Sequence, residues 1–154
     1  MAKLWRLCKA KHAAAALSGE GARRYGGRWH SAGTPLVYAA DSLALAALEV
    51  LVHVQSPQAF PAMVAIAIEV PDDALEVAAP DDLPQDWNRL PPAPASQALG
   101  DAWHRSGRSL ALSLPSVIVP AERIVLIHPG HARFTAIVVQ EPRPFTLDPR
   151  LAPP

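Results

Sequence analysis

The sequence lacks the residues that several common chemistries need. Its single cysteine, Cys8, cannot form a disulfide within the chain, and a reducing, cytoplasmic setting is expected. Neither sign of charge is in excess, since 14 basic residues balance 14 acidic ones. That balance leaves no footprint for direct nucleic-acid binding or for an anionic membrane. No apolar run approaches the roughly 20 residues of a bilayer span. The start, Met1-Ala-Lys-Leu-Trp-Arg, carries charges where a signal peptide needs an apolar core. His128 and His131 lie close together, but without cysteine or an acidic neighbour in sequence, so no metal site is expected. A Walker-type loop, a dinucleotide glycine fingerprint after a strand and a Gly-x-Ser-x-Gly elbow are all missing, so the usual nucleotide and serine-hydrolase routes do not apply.

Half of the 154 residues are hydrophobic and 18% are charged, a balance that buries a core, and one domain spanning 1–154 is expected. Seventeen prolines argue against a helical bundle and favour short strands joined by stiff turns. Strands are predicted at Leu4–Leu7, Leu36–Ala40, Ala62–Val70, Ser116–Val119, Arg123–Ile127 and Phe134–Val139. Lys11–Leu17 reads as a short helix, and Ala95 to about Leu112 as a weak one. Asp41 or Ser42 caps a third helix running to about His53 or Val54, apolar nearly all round and so expected to be buried. Four of the eight glycines fall between Ser18 and Gly27, a predicted loop, from which Arg28-Trp29-His30 leaves extended. Residues 71–94, rich in Pro and Asp, read as a surface excursion, and 142–154 as an irregular tail. Strands and helices out of strict alternation predict an α+β (mixed α/β) domain.

Glu49 is the sharpest single signal. A carboxylate amid Leu-Ala-Ala-Leu and Val-Leu-Val is costly unless it is paired or faces a cleft. A narrow solvated stripe of Ser42, Glu49 and His53 accounts for it equally well. Arg28 follows paired glycines, where a guanidinium suits a phosphate or pyrophosphate; taken alone, a surface arginine after a turn is the simpler account. Tyr38, on an apolar strand, offers either a core ring with a wet hydroxyl or a flat surface for a heteroaromatic ligand. Ser116, after Pro115, reads by itself as a turn residue.

Together these stretches form a pattern. Leu4-Trp5-Arg6, Gly27-Arg28-Trp29-His30, Ala32-Gly33-Thr34-Pro35-Leu36-Val37-Tyr38, Ala47-Leu48-Glu49-Val50-Leu51-Val52-His53 and Pro115-Ser116-Val117-Ile118-Val119-Pro120 occur in one order across nearly the whole chain. In this the sequence resembles the RES-domain family, named for its Arg, Glu and Ser. Leu126-Ile127-His128-Pro129-Gly130-His131 resembles that family's Asn-Pro-x-His segment, with His128 in place of Asn. The resemblance implies an ADP-ribosyltransferase-like fold of central strands and flanking helices. It implies a type II toxin that cleaves NAD⁺ at the nicotinamide–ribose bond, as a glycohydrolase (hydrolase) or phosphorylase, or that acts as a protein ADP-ribosyltransferase (transferase). NAD⁺ is then substrate, with no metal. The implied partner is an Xre-type helix-turn-helix antitoxin, around a toxin homodimer.

The same resemblance assigns roles. Arg28 would hold the pyrophosphate, with Arg6 adding a phosphate contact. Tyr38 would orient the nicotinamide ribose, and Glu49 would bind ribose hydroxyls and stabilise the positive charge that develops as nicotinamide leaves. Ser116 would support the substrate or Arg28. Nicotinamide departs neutral and leaves an oxocarbenium-like ribose, so a carboxylate there stabilises the transition state more than the ground state. A binding module without catalysis is the rival reading, with the apolar helix and the Pro-rich excursion as its partner surface.

Overall fold

Met63–Val70 carries valine or isoleucine at every second position and is buried over nearly its whole length, which a strand covered on both faces requires. This strand, β3, pairs antiparallel with β1 (Ala2–Lys9) through eight consecutive partners, from Ala2↔Val70 to Lys9↔Met63. The computed structural model describes residues 1–54 and 61–151. A second group of strands is built around β6 (Arg123–Ile127). β2 (Val37–Ala40) and β5 (Ala111–Pro115) flank it antiparallel, and β4 (Leu75–Val77) lies parallel to β5 at the edge. β7 (Val138–Val139) and β8 (Arg143–Phe145) both pair with β3 at the opposite edge. The order is β4-β5-β6-β2-β1-β3-β7. One registered pair, Trp5↔Ala40, joins the two groups, so the sheet opens beside β2.

Three α-helices are described. α1 (Glu20–Arg24) interrupts the expected glycine loop with one turn of helix, braced by Arg23 on Glu20. α2 (Leu43–Leu51) begins where its cap requires: the Ser42 hydroxyl accepts the Leu45 amide at 3.0 Å. It is not buried all round as expected. Leu45 and Ala46 face the sheet, while Ala44 and Val52 are exposed, because only one side of the helix has sheet to cover it. α3 (Pro94–Ser106) starts at Pro94, whose missing N–H costs nothing in the first turn, and stops at Gly107 in the left-handed region at φ 57°. It therefore ends earlier than the predicted Leu112.

Several predicted elements are displaced. Ser116–Val119 is not a strand; the strand is Ala111–Pro115. Ser116 ends it by accepting the amides of Ile118 (3.1 Å) and Val119 (3.2 Å) on its own hydroxyl, a side-chain bond that competes with the ladder. Arg28-Trp29-His30 is not extended but forms a tight turn closed by Gly27 N–H on the His30 carbonyl at 3.0 Å. Lys11–Leu17 is helical only to Ala15, in a 3₁₀ helix over Ala10–Ala15. Phe134–Ala136 is a 3₁₀ turn that precedes β7. The excursion 71–94 supplies edge strand β4 and buries Ala74 and Ala78. The tail read as irregular supplies β8; 152–154 lie outside the described residues.

One sheet face packs Trp29, Leu36, Leu45, Trp103, Leu114 and Leu126 under α2 and α3. The other packs Leu4, Ile66, Ile68, Val125 and Ile127 against Leu17, Phe134 and Ile137. The candidate site lies on the first face.

Candidate active site

The turn after the paired glycines places Arg28. Its Nη1 donates to the carbonyls of Trp87 (2.9 Å) and Arg89 (2.8 Å), so the Pro-rich excursion docks directly on the candidate site. Trp29 is buried and stacks on Trp87, with ring centroids 6.1 Å apart and planes 16° from parallel. Burial lowers the Arg28 pKa from its ordinary value, while the charge of Glu49 acts the other way. Gly27 has no substitute here: a Cβ would stand 2.8 Å from the His30 ring and 3.1 Å from the Tyr38 hydroxyl.

Tyr38 points from β2 toward this turn. His30 Nε2 faces two carbonyls, of Ala22 and Tyr25, each at 2.8 Å, and must donate to them. Its Nδ1 is then an acceptor, and the Tyr38 hydroxyl donates to it at 2.6 Å while accepting the Trp29 amide at 3.4 Å. Burial pushes the Tyr38 pKa well above the ordinary tyrosine value, so the hydroxyl stays neutral.

Glu49 sits half-buried on α2 and accepts a 2.9 Å hydrogen bond from the Ser116 hydroxyl. Ser116 is 1% exposed and is itself fixed by the two amides it accepts and by its own N–H on the Glu122 carbonyl at 3.0 Å. It thus turns to Glu49, not to Arg28. Glu49 and Arg28 do not form an ion pair among the described residues; each is held by neutral partners instead. The candidate site thus holds a cation, a carboxylate and an aromatic ring, and neither charged group is in an ion pair among the described residues.

Arg6 is placed differently. Its Cα partner on β3 is Ile66, so it leaves β1 on the second face. Its Nη1 donates to the Tyr38 carbonyl at 2.9 Å where β1 and β2 part, and its Nε is shut from solvent without a partner. It reaches the site through the backbone of Tyr38. Sequence reasoning missed four residues that build this region: His30, Trp87, Gln97 and Asp101. Gln97 and Asp101 follow i, i+4 spacing on α3, but polar residues at that spacing read equally as a solvated face. Among the described residues no helix is long and apolar enough to cross a membrane, and no three His, Cys, Asp or Glu gather as metal ligands do.

Known proteins share this architecture. The structure of the MbcT–MbcA toxin–antitoxin complex of M. tuberculosis contains a chain that superposes with a TM-score of 0.77 at 23% identity, covering 97% of this chain and 85% of that one. The mixed α/β, ADP-ribosyltransferase-like fold expected from the sequence is the one observed. Residues 3–148 match the RES domain, and the chain belongs to the RES domain family. A protein named Toxin Res from Yersinia enterocolitica is 38% identical over 150 residues, 96% of this chain and 98% of its own length. One named Prs ADP-ribosylating toxin, from a Sphingobium strain, is 43% identical over 138 residues, covering 88% and 86% of the two chains.

Proposed function

We propose that this chain is the toxin of a toxin–antitoxin pair and that it cleaves NAD⁺ at the nicotinamide–ribose bond, with water or phosphate as acceptor. The observation that carries the reading is that the Arg28 guanidinium, fixed on the Trp87 and Arg89 carbonyls, and the Glu49 carboxylate, fixed by the Ser116 hydroxyl, are each held by neutral groups and enter no ion pair among the described residues. A dinucleotide whose reacting ribose turns cationic suits these two groups, its pyrophosphate matching the cation and its ribose the carboxylate. Arg28, whose Nη1 is anchored on two carbonyls, offers its remaining N–H groups to the pyrophosphate. Tyr38, with its hydroxyl already satisfied, contributes its ring to orienting the nicotinamide ribose. Glu49, aimed by Ser116, binds the ribose hydroxyls and stabilises the oxocarbenium-like transition state. Arg6 supports the backbone of Tyr38, a role that replaces the phosphate contact implied by resemblance.

The partner is an antitoxin, as in the MbcT–MbcA complex, and we assign it to the Xre type, bound to a toxin homodimer that it holds inactive. A second reading, transfer of ADP-ribose to a protein, draws on the name of the Sphingobium relative. The test is nicotinamide release from NAD⁺ by the purified, antitoxin-free chain, with and without phosphate, beside Glu49→Ala. Release by the wild type alone supports NAD⁺ cleavage, and phosphate dependence separates phosphorolysis from hydrolysis. No release in either buffer sinks it; labelling of a target protein by labelled NAD⁺ would then favour transfer.

A further inference from the structure

Helix α3 grips the Arg28 turn on both sides. Gln97 Nε2 donates to the carbonyl of Gly27, the residue before Arg28, at 2.9 Å. One turn further, the Asp101 carboxylate accepts from the Ser31 hydroxyl, from the Ser31 amide at 3.1 Å and from the Thr34 hydroxyl at 2.8 Å. Ser31 is the residue after the turn. Between these grips lies Gly100, where a Cβ would stand 1.6 Å from the Trp29 carbonyl oxygen, so the helix meets the turn backbone to backbone. Positions 97, 100 and 101 share one helical face. Asp101 is 8% exposed, and no salt bridge compensates its carboxylate among the described residues. Burial pushes its pKa up, but the bonds from Ser31 and Thr34 outweigh that and hold it below the usual carboxylate value.

We infer that Gln97 and Asp101 are positioning residues for Arg28, setting the direction of its guanidinium by fixing the residues on either side of its turn. The inference rests on the reading of Arg28 as the pyrophosphate ligand. The grip is independent of the anchor that Arg28 finds on Trp87 and Arg89, so its loss loosens the arginine without unfolding the sheet.

Gln97→Met keeps the size and helical propensity of the side chain and removes its amide, and with it the bond to the Gly27 carbonyl. Its KM for NAD⁺ should rise about five- to tenfold with kcat little changed. Asp101→Ala should do more. Asp101→Asn should recover part of the loss, because Oδ1 still accepts from Ser31 and Thr34. In an Arg28→Ala background Gln97→Met should add nothing. An unchanged KM, a fall in kcat alone that tracks the unfolded fraction, or an equal effect without Arg28 overturns the inference. A wild type that neither binds nor cleaves NAD⁺ would sink the functional reading alone. The grip is then judged by hydrogen exchange: faster exchange of the Gly27 amide in Gln97→Met and of the Ser31 amide in Asp101→Ala supports it, and unchanged exchange refutes it.

Discussion

Replacing Glu49 by Gln separates the chemistry of the site from its architecture. The Ser116 hydroxyl donates to Glu49 Oε1 at 2.9 Å, and a glutamine oxygen accepts that bond equally well. Glu49 forms no ion pair among the described residues, so removing its charge strands no partner. Volume and helix propensity barely change. Stability should therefore stay within about 0.5 kcal/mol of wild type by urea denaturation. The transition state loses a full negative charge beside the developing oxocarbenium, and nicotinamide release should fall on the order of a hundredfold or more. Because the charge acts on the transition state, kcat should carry most of that loss. A variant as stable as wild type with a rate within about threefold of it would refute the role given to Glu49. Equal losses of stability and rate would mean that the carboxylate is structural.

Three further outcomes follow from the geometry. Gly100→Ala should destabilise the fold by about 3 kcal/mol or more, since its Cβ would lie 1.6 Å from the Trp29 carbonyl; an unchanged denaturation midpoint would show that α3 does not seat there. Tyr38→Phe strips His30 Nδ1 of its donor in a buried setting and should cost about 1–3 kcal/mol, a thermal midpoint several degrees lower by calorimetry; no shift would rule out the Tyr38–His30 bond. His104 and His128 stack at 3.9 Å, and burial, chiefly, lowers the pKa of both. A lowered folded-state pKa means the unfolded chain takes up more protons as the solution acidifies. The stability they contribute is then full above the ordinary histidine value of about 6.5 and lost as pH falls through their folded values. His128→Asn should flatten that loss below pH of about 6.5; an unaltered slope there would exclude His128 as a contributor.

Much of the sheet was legible because its signals are local. The unbroken apolar run of β3 and the Ser42 cap of α2 each follow from a few neighbouring residues. Where the reading failed, a distant or side-chain interaction had decided the outcome. Val117-Ile118-Val119 has the composition of a strand, but the Ser116 hydroxyl takes two of the amides a ladder would use. β8 looked irregular because its pairing comes from β3, some eighty residues away in the chain, and two of its three residues are exposed. The grip of α3 on the Arg28 turn joins residues 70 apart, and nothing on the helix marks which polar side chains face the turn. His128, standing where an Asn was expected, keeps the turn by chemistry visible only in space: its Nδ1 accepts the Gly130 amide at 3.1 Å, as an Asn oxygen would.

The two accounts of Glu49, a solvated stripe or a cleft-facing acid, turn out to describe parts of one arrangement. Ser42 and Glu49 are seven residues apart, two turns of helix, and so share a side of α2. That side is polar, but it is not simply solvated. Ser42 donates to the Glu122 carboxylate at 2.9 Å, and Glu49 accepts from Ser116 at 2.9 Å, so the segment from Ser116 to Glu122 is fastened along the helix at both of its ends. The segment is closed on itself by Ser116 N–H to the Glu122 carbonyl and by Glu122 N–H to the Val119 carbonyl. His53, the third member of the proposed stripe, lies past the end of α2 and is exposed. A carboxylate can therefore stand in an otherwise apolar helix without a cation beside it, because a buried serine satisfies one of its oxygens. No hydrogen bond among the described residues occupies the other oxygen, Oε2, and catalysis at a ribose needs such an oxygen.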